Sequence, residues 1–302
     1  YDDSTLNVHY SYDEKSALVG INDTSGSTTF VYDKENLLKK THTIVDQHFV
    51  QTYTYTPTDK IATMTYPSGK QISYHYNAKN EIDTILLDGT PLIEHIDMRN
   101  GKLFGYDYPD GTQHTRTYDM DERVASIGYP SFEESVVYDA TSNIVSMKMG
   151  EQRYIYSFDA IDRVTVFDKN DTTEQQFGYD ANGNRITLAD ALGGMTRYYY
   201  AVGSNILNQV KSDTAPAINY SYDDMGNVID DGNHTYSYDG RNRLVGVDDT
   251  IFYQYNYANQ RVSKSVDGVK TYFVYDGHKL LGEYDEEGKM LREYIYLNDT
   301  PQ

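Results

Sequence analysis

Cysteine and tryptophan are absent from this 302-residue sequence, and proline occurs only seven times. Without cysteine there is no disulfide, no thiolate metal ligand and no cysteine nucleophile. Basic residues are scarce: 26 Lys and Arg stand against 46 Asp and Glu, a formal net charge of −20. That balance argues against nucleic acid as a partner, because phosphates require a basic surface, and against anionic membrane surfaces. No apolar run approaches the roughly 20 residues that span a bilayer, and helical periodicity is essentially missing. The chain opens on Tyr1 with no basic-then-apolar leader and stops at Gln302 just after strand-like sequence, so it reads as a piece of something longer.

What the sequence has in excess is tyrosine, 32 residues against 9 Phe. An aromatic fraction of 14% is too high for a disordered chain. Marking each aromatic that precedes Asp or Asn, with an aliphatic residue about six positions on, gives a series. It runs Tyr12, Tyr32, Tyr55, Tyr76, Ile96, Tyr118, Tyr138, Phe158, Tyr179, Tyr200, Tyr222, Tyr238, Tyr257 and Tyr275, a spacing near 20 along nearly the whole chain. Tyr55, Ile96 and Tyr200 are degenerate copies. The aliphatic partner is Leu18, Ile61, Ile82, Val124, Ile144, Val164, Ile206, Val228 or Leu244 at a spacing of six; it slips by one to Leu37, Val262 and Leu280, or the other way to Leu103 and Ile186.

Each copy has strand chemistry before the mark and turn chemistry after it. The residue two before the mark is usually aromatic as well, which puts two rings on one face of a strand. The Asp that follows can accept backbone N–H groups, and Gly or Asn a few residues on supplies the positive φ of a tight turn. Tyr66-Pro67-Ser68-Gly69 and Tyr108-Pro109-Asp110-Gly111 mark turns at the opposite strand ends, and Asp88-Gly89, Asp231-Gly232 and Asp267-Gly268 read as hairpin turns. The longest loops are expected near Leu192-Gly193-Gly194 and Ser212 to Pro216. One hairpin cannot bury its apolar face alone, so the copies must pair edge to edge into a long sheet that curls or closes. The fold expected is all-β: a hairpin array of about 14 copies over residues 1–302, spiralling into a hollow shell.

The pattern Tyr-Asp-x-x-Gly-Asn-Arg, complete at Tyr179, Asp180, Gly183, Asn184 and Arg185, resembles the YD repeat of RHS-repeat proteins. Graded copies stand at Tyr32-Asp33, Tyr118-Asp119, Tyr138-Asp139, Tyr222-Asp223 with Gly226, Tyr238-Asp239 and Tyr275-Asp276. The tail from Tyr275 through Asn298-Asp299-Thr300-Pro301 is similar to the last stretch of a bacterial RHS core. The family includes bacterial polymorphic toxins, the cocoons of insecticidal Tc toxins and the teneurin adhesion receptors. The resemblance implies a cocoon wall, non-enzymatic in itself, that encloses a toxic C-terminal domain. It implies secretion or delivery by a bacterial secretion system (type VI or a Tc-type pore), with spike or translocation-pore proteins and a cognate immunity protein as partners. The alternative is a cell-surface adhesion shell that binds a glycan or a protein and holds no cargo. The aspartyl-type self-protease of the family uses Asp-Pro motifs, and none occurs here.

No catalytic, cofactor or metal residue emerges beside these structural positions. The eight His are scattered without ligand spacing. Asp180 to Asn184 hints at a calcium loop, but Arg185 and Ala191 stand where that loop needs Gly and Glu. Carboxylates that recur at the repeat period belong to turns, not to a glycosidase pair.

Overall fold

A computed structural model describes residues 7–45 and 47–297, and the backbone of 300–301. Asn298 and Asp299 of the tail lie outside the described residues. Among the described residues there are 32 β-strands and no helix, so nothing helical is present to cross a membrane. The residues divide into two compact units: 1–92, 224–227 and 234–302 form the first, 93–223 and 228–233 the second.

In the first unit, strands β1 (His9–Tyr12) to β8 (Ile82–Leu87) pair antiparallel in chain order. A second sheet of seven strands runs from β24 (Tyr236–Tyr238) to β30 (Met290–Glu293), also in chain order. The two sheets pack face to face. Ile44 of β4 (Asn36–Ile44) and Phe49 of β5 (Gln47–Tyr55) meet Val262, Tyr272, Val274 and Tyr284 in one core. The Phe49 ring lies 4.8 Å from that of Tyr284 and 5.7 Å from that of Tyr272. Each such buried side chain contributes about 1.5–3 kcal/mol.

Alternation decides which face is used. Phe49, Gln51 and Tyr53 are buried along β5, and Tyr55, the marked residue, follows on the same side. In β28 (Val269–Asp276) the sense is reversed: Tyr272 and Val274 enter the core, while Tyr275 shares the other face with Phe273. The marked face of the early sheet is therefore covered by the unmarked face of the late one.

In the second unit, strands from β9 (Thr90–Arg99) to β21 (Ile218–Asn219) pair in the same consecutive manner. Its buried hydrophobic residues, Ile93, Ile96, Leu103 and Tyr106, are confined to its first strands, and beyond them the sheet is a single half-buried layer.

Several sequence expectations need correction. Ile96 sits inside β9, and that hairpin turns at Asn100-Gly101, whose φ values are 51° and 78°. Asp88-Gly89 and Asp267-Gly268 are two-residue turns with both φ positive. Asp231-Gly232, however, joins β23 (Val228–Asp230) to β24, which belong to different sheets. Leu192-Gly193-Gly194 is no long loop: Asp190 caps it tightly, accepting from the N–H groups of Leu192 and Gly194.

Candidate functional site: the tyrosine, aspartate and arginine ladder

The chemistry-bearing residues of the repeat converge where each marked strand ends. At Tyr179 the register shifts, so that the tyrosine lies opposite Arg185. The Asp180 amide then donates to the Asn184 carbonyl, and its Oδ1 accepts the N–H groups of Asn182 and Asn184 at 2.9 and 2.8 Å. Oδ2 accepts the Asn184 amide at 2.9 Å, and Gly183 closes the turn at φ 87°. Asp119, Asp139, Asp159 and Asp239 accept N–H groups in the same way. The Asn184 side-chain bond, followed by the backbone bonds, holds the Asp180 carboxyl below the usual carboxylate range; at Asp119 the Arg123 hydrogen bond leads. The left-handed position three after the aspartate was expected to be Gly or Asn. It is also filled by Glu122, Ser142 and Asp162, at φ 63°, 71° and 62°.

Eight marked hydroxyls, joined by those of Tyr255 and Tyr296, donate backward to a main-chain carbonyl in the preceding hairpin; Tyr118 reaches Leu103 O at 2.8 Å, Tyr138 Val124 O at 3.0 Å, Tyr179 Val164 O at 2.7 Å and Tyr222 Leu207 O at 2.7 Å. These carbonyls locate the partner position. It is Arg185, not Ile186, for Tyr179, and Leu207, not Ile206, for Tyr200, each carbonyl accepting from the next copy's hydroxyl. For the copy marked at Tyr257 it is Arg261, opposite Tyr255, not Val262, which faces the core instead. A slip of one residue along a strand reverses the face; in these three copies the aliphatic neighbour misleads, whereas at Ile61, Ile82, Val124, Ile144, Val164, Val228 and Leu244 it is the paired residue. The copy placed at Tyr257 is centred on Tyr255, which donates to Leu244 O and is followed by the turn-capping Asn256. A further copy, Tyr284-Asp285, was not recognised; Asp285 caps its turn like the others.

Arginine links each copy to the next. Arg163 donates from Nε to Asp159 Oδ2 at 2.7 Å and from a terminal nitrogen to the Asp180 carbonyl at 2.9 Å, while its guanidinium lies 4.6 Å from the Tyr179 ring centre. Arg123 repeats this with Asp119, the Asp139 carbonyl and the Tyr138 ring. Arg243 does so with Asp239, the Asn256 carbonyl and Tyr255. Arg185 stacks on Tyr198 and Arg261 on Phe273. Rings on this face are therefore interleaved with cations. The Asp-x-x-x-Arg spacing at 119/123, 159/163 and 239/243 was visible in the sequence and was the signal to follow.

Two copies depart from the rule. Asp33 pairs with Asn36 across the two-residue turn Lys34-Glu35, and Asp276 pairs with Lys279 across Gly277-His278. Asp276 is turned instead toward Lys40 of the opposite sheet, whose Nζ lies 3.3 Å from Oδ1 and 3.1 Å from the Tyr275 carbonyl. His42 donates from Nε2 to the same carbonyl, 3.0 Å away. Desolvation first, then the Lys40 charge, pull the His42 pKa down to about 3, against the Tyr275 hydrogen bond. Beside this cluster opens a cavity of about 390 Å3 lined by Tyr66, Tyr74, Tyr76, Tyr296, Asp276 and Lys279. Burial, followed by the neighbouring Tyr76 and Asp276, pushes the Tyr74 hydroxyl up to about 12. Among the described residues no group of three or more His, Cys, Asp or Glu is placed to hold a metal ion.

No family model matches the chain. A stretch of 134 residues, 42% of the chain, is 34% identical to the tRNA3(Ser)-specific nuclease WapA of Bacillus spizizenii and, to the same extent, to the tRNA nuclease WapA of Bacillus subtilis. The chain spans 6% of the length of these curated relatives. Among solved structures, TcdB2-TccC3 superposes over 96% of the chain and 22% of its own, with a TM-score of 0.59 at 13% identity. The Photorhabdus luminescens Tc holotoxin pore superposes over 96% of the chain and 21% of its own, at 0.51 and 11%. At such identities the likeness is one of fold, and the fold is the all-β hairpin array of an RHS-repeat shell.

Proposed function

We propose, for a chain that is an RHS/YD-repeat protein, that residues 1–302 are one stretch of cocoon wall, non-enzymatic in itself, which helps to enclose and carry a toxic C-terminal domain to a target cell. One observation carries this reading. The groups that could do chemistry or recognise a ligand are instead spent on joining neighbours: the repeat hydroxyls on main-chain carbonyls, the carboxylates on turn amides, and the guanidinium groups on the next copy's carbonyl and ring. Such a ladder builds a wall whose inner content is decided elsewhere. The names of the WapA relatives and of the Tc holotoxin support a toxin as the setting. Secretion, or delivery through a secretion system or pore, belongs to the same proposal, as does a partner that neutralises the cargo in the producing cell.

The test is native size exclusion of the full-length gene product, then a denaturing gel and mass spectrometry of the peak. A C-terminal polypeptide that resists protease in the native state, and becomes accessible only on denaturation, is the expected result. A product with no domain beyond the repeat array overturns the carrier reading and leaves a cargo-free adhesion shell in its place.

A further inference from the structure

The geometry points to an isopeptide bond between Lys40 and Asp276, Nζ to Cγ, tying the early sheet of the first unit to the late one. This holds whatever the shell carries. Lys40 is 8% exposed, and its Nζ stands 3.3 Å from the Asp276 carboxylate. That contact is from Nζ to Oδ1, the oxygen bonded to Cγ; holding an amine beside a carboxyl group raises their effective concentration, up to about 10⁵ M or more where the reacting atoms are aligned, which favours a condensation that is unfavourable between free molecules in water.

Both partners are held in place. Lys40 lies in the interior of β4, opposite Gln51 of β5, and a second acceptor, the Tyr275 carbonyl, aims its Nζ. Asp276 ends β28 at a two-residue turn. Burial lowers the Lys40 pKa, against the raising pull of the Asp276 charge, and so enlarges the share of free amine, the nucleophilic form. Tyr53, 4% exposed, keeps its hydroxyl proton because burial and then Asp276 push its pKa up; the hydroxyl donates to Gln51 Oε1 at 3.0 Å. The Asp276 side chain also borders the cavity described above, a route by which water can leave.

The step balances without a co-reactant. The ammonium passes one proton to a carboxylate oxygen, the amine attacks Cγ, and the second nitrogen proton leaves with that oxygen. One C–N bond forms, one C–O bond breaks, and one water departs. Nothing is oxidised or reduced, and Tyr53 ends with the proton it began with.

The intact mass of the purified chain tests this, followed by a tryptic digest with tandem spectra. The expected mass is that of the sequence less one water, with a branched peptide joining Lys40 to Asp276. On a denaturing gel the closed loop makes the protein run ahead of the K40R and D276A variants. Asp276 precedes Gly277, and such a pair can also lose water as a backbone imide, so K40R is the control: it restores the full mass only if Lys40 is the nucleophile. A full-length mass equal to that of the sequence after prolonged native incubation overturns the proposal. So does a water loss that persists in K40R. The wild-type spectrum decides even if a variant fails to fold.

Discussion

The Tyr179 hydroxyl donates to the main-chain carbonyl of Val164, 2.7 Å away and one hairpin earlier. A neutral hydrogen bond of this kind contributes about 1 kcal/mol net. Tyr179→Phe is therefore expected to lower stability by about that amount in a urea titration. The reverse change is available at Phe158, the marked aromatic with no hydroxyl, which pairs with Val164 at its own turn. Phe158→Tyr is expected to raise stability by up to about 1 kcal/mol, and a loss there would show that the hydroxyl finds no carbonyl.

Arginine and aspartate pair at very different depths. The Asp239–Arg243 pair has side-chain exposures of 7% and 12%, against 42% and 63% for Asp97–Arg99. A double-mutant cycle on the first pair should give a coupling of about 2 kcal/mol, since its charge-assisted bond from Nε to Oδ2 is shielded from water. The same cycle on the second should give less than about 1 kcal/mol, and should vanish in high salt. Equal couplings would mean that depth does not govern the ladder.

Acid should loosen the first unit before it protonates the turns. His42 has its pKa pulled from 6.5 to about 3, so between those values the unfolded chain binds a proton that the folded one refuses. Stability then falls as pH drops through that window. Asp119 and Asp180 have pKa values lowered from 3.8, so their contribution is present above 3.8 and is lost only as pH falls further. A stability profile between pH 6.5 and 4.5 reads His42 together with His114, whose pKa burial also lowers, and His42→Gln is expected to remove about one proton's share of the slope.

Glycine is needed for two different reasons, and the costs should separate them. At Gly183 the φ of 87° is the only obstacle to a side chain, with nothing within 4 Å. Gly183→Ala should cost about 1–2 kcal/mol. At Gly26, with φ 141°, a Cβ would lie 1.9 Å from the Thr43 carbonyl oxygen. Gly26→Ala should cost more than about 3 kcal/mol or prevent the sheet from forming, as thermal melts of the two variants would show.

Much of this was legible because the repeat is local. The period, the aromatic mark and the capping aspartate at Asp119, Asp139, Asp159, Asp180 and Asp239 are set within a few residues of chain. What misled was the choice between adjacent residues of a strand, as at Arg185 and Ile186, where hydropathy pointed to one face and the hydrogen bond to the other. The cover over β4 and β5 was not legible at all: it comes from residues more than 200 positions away, and Lys40, His42 and Gln51 do not look like core residues in a linear pattern. Gln51 is fully buried with its amide nitrogen unpartnered, which no hydropathy rule anticipates.

The backward reach of these ten tyrosine hydroxyls gives the chain a direction of assembly. A copy emerging from the ribosome finds its carbonyl acceptor already in place, some 11 to 18 residues behind it, so the single-layer sheet can grow as it is made, at low contact order. The face of β4 and β5 has to wait until Val262 through Tyr284 have been synthesised. Synthesis thus has two tempos, steady extension followed by one late docking event, and a translational pause before residue 262 would hold the protein with that face still bare.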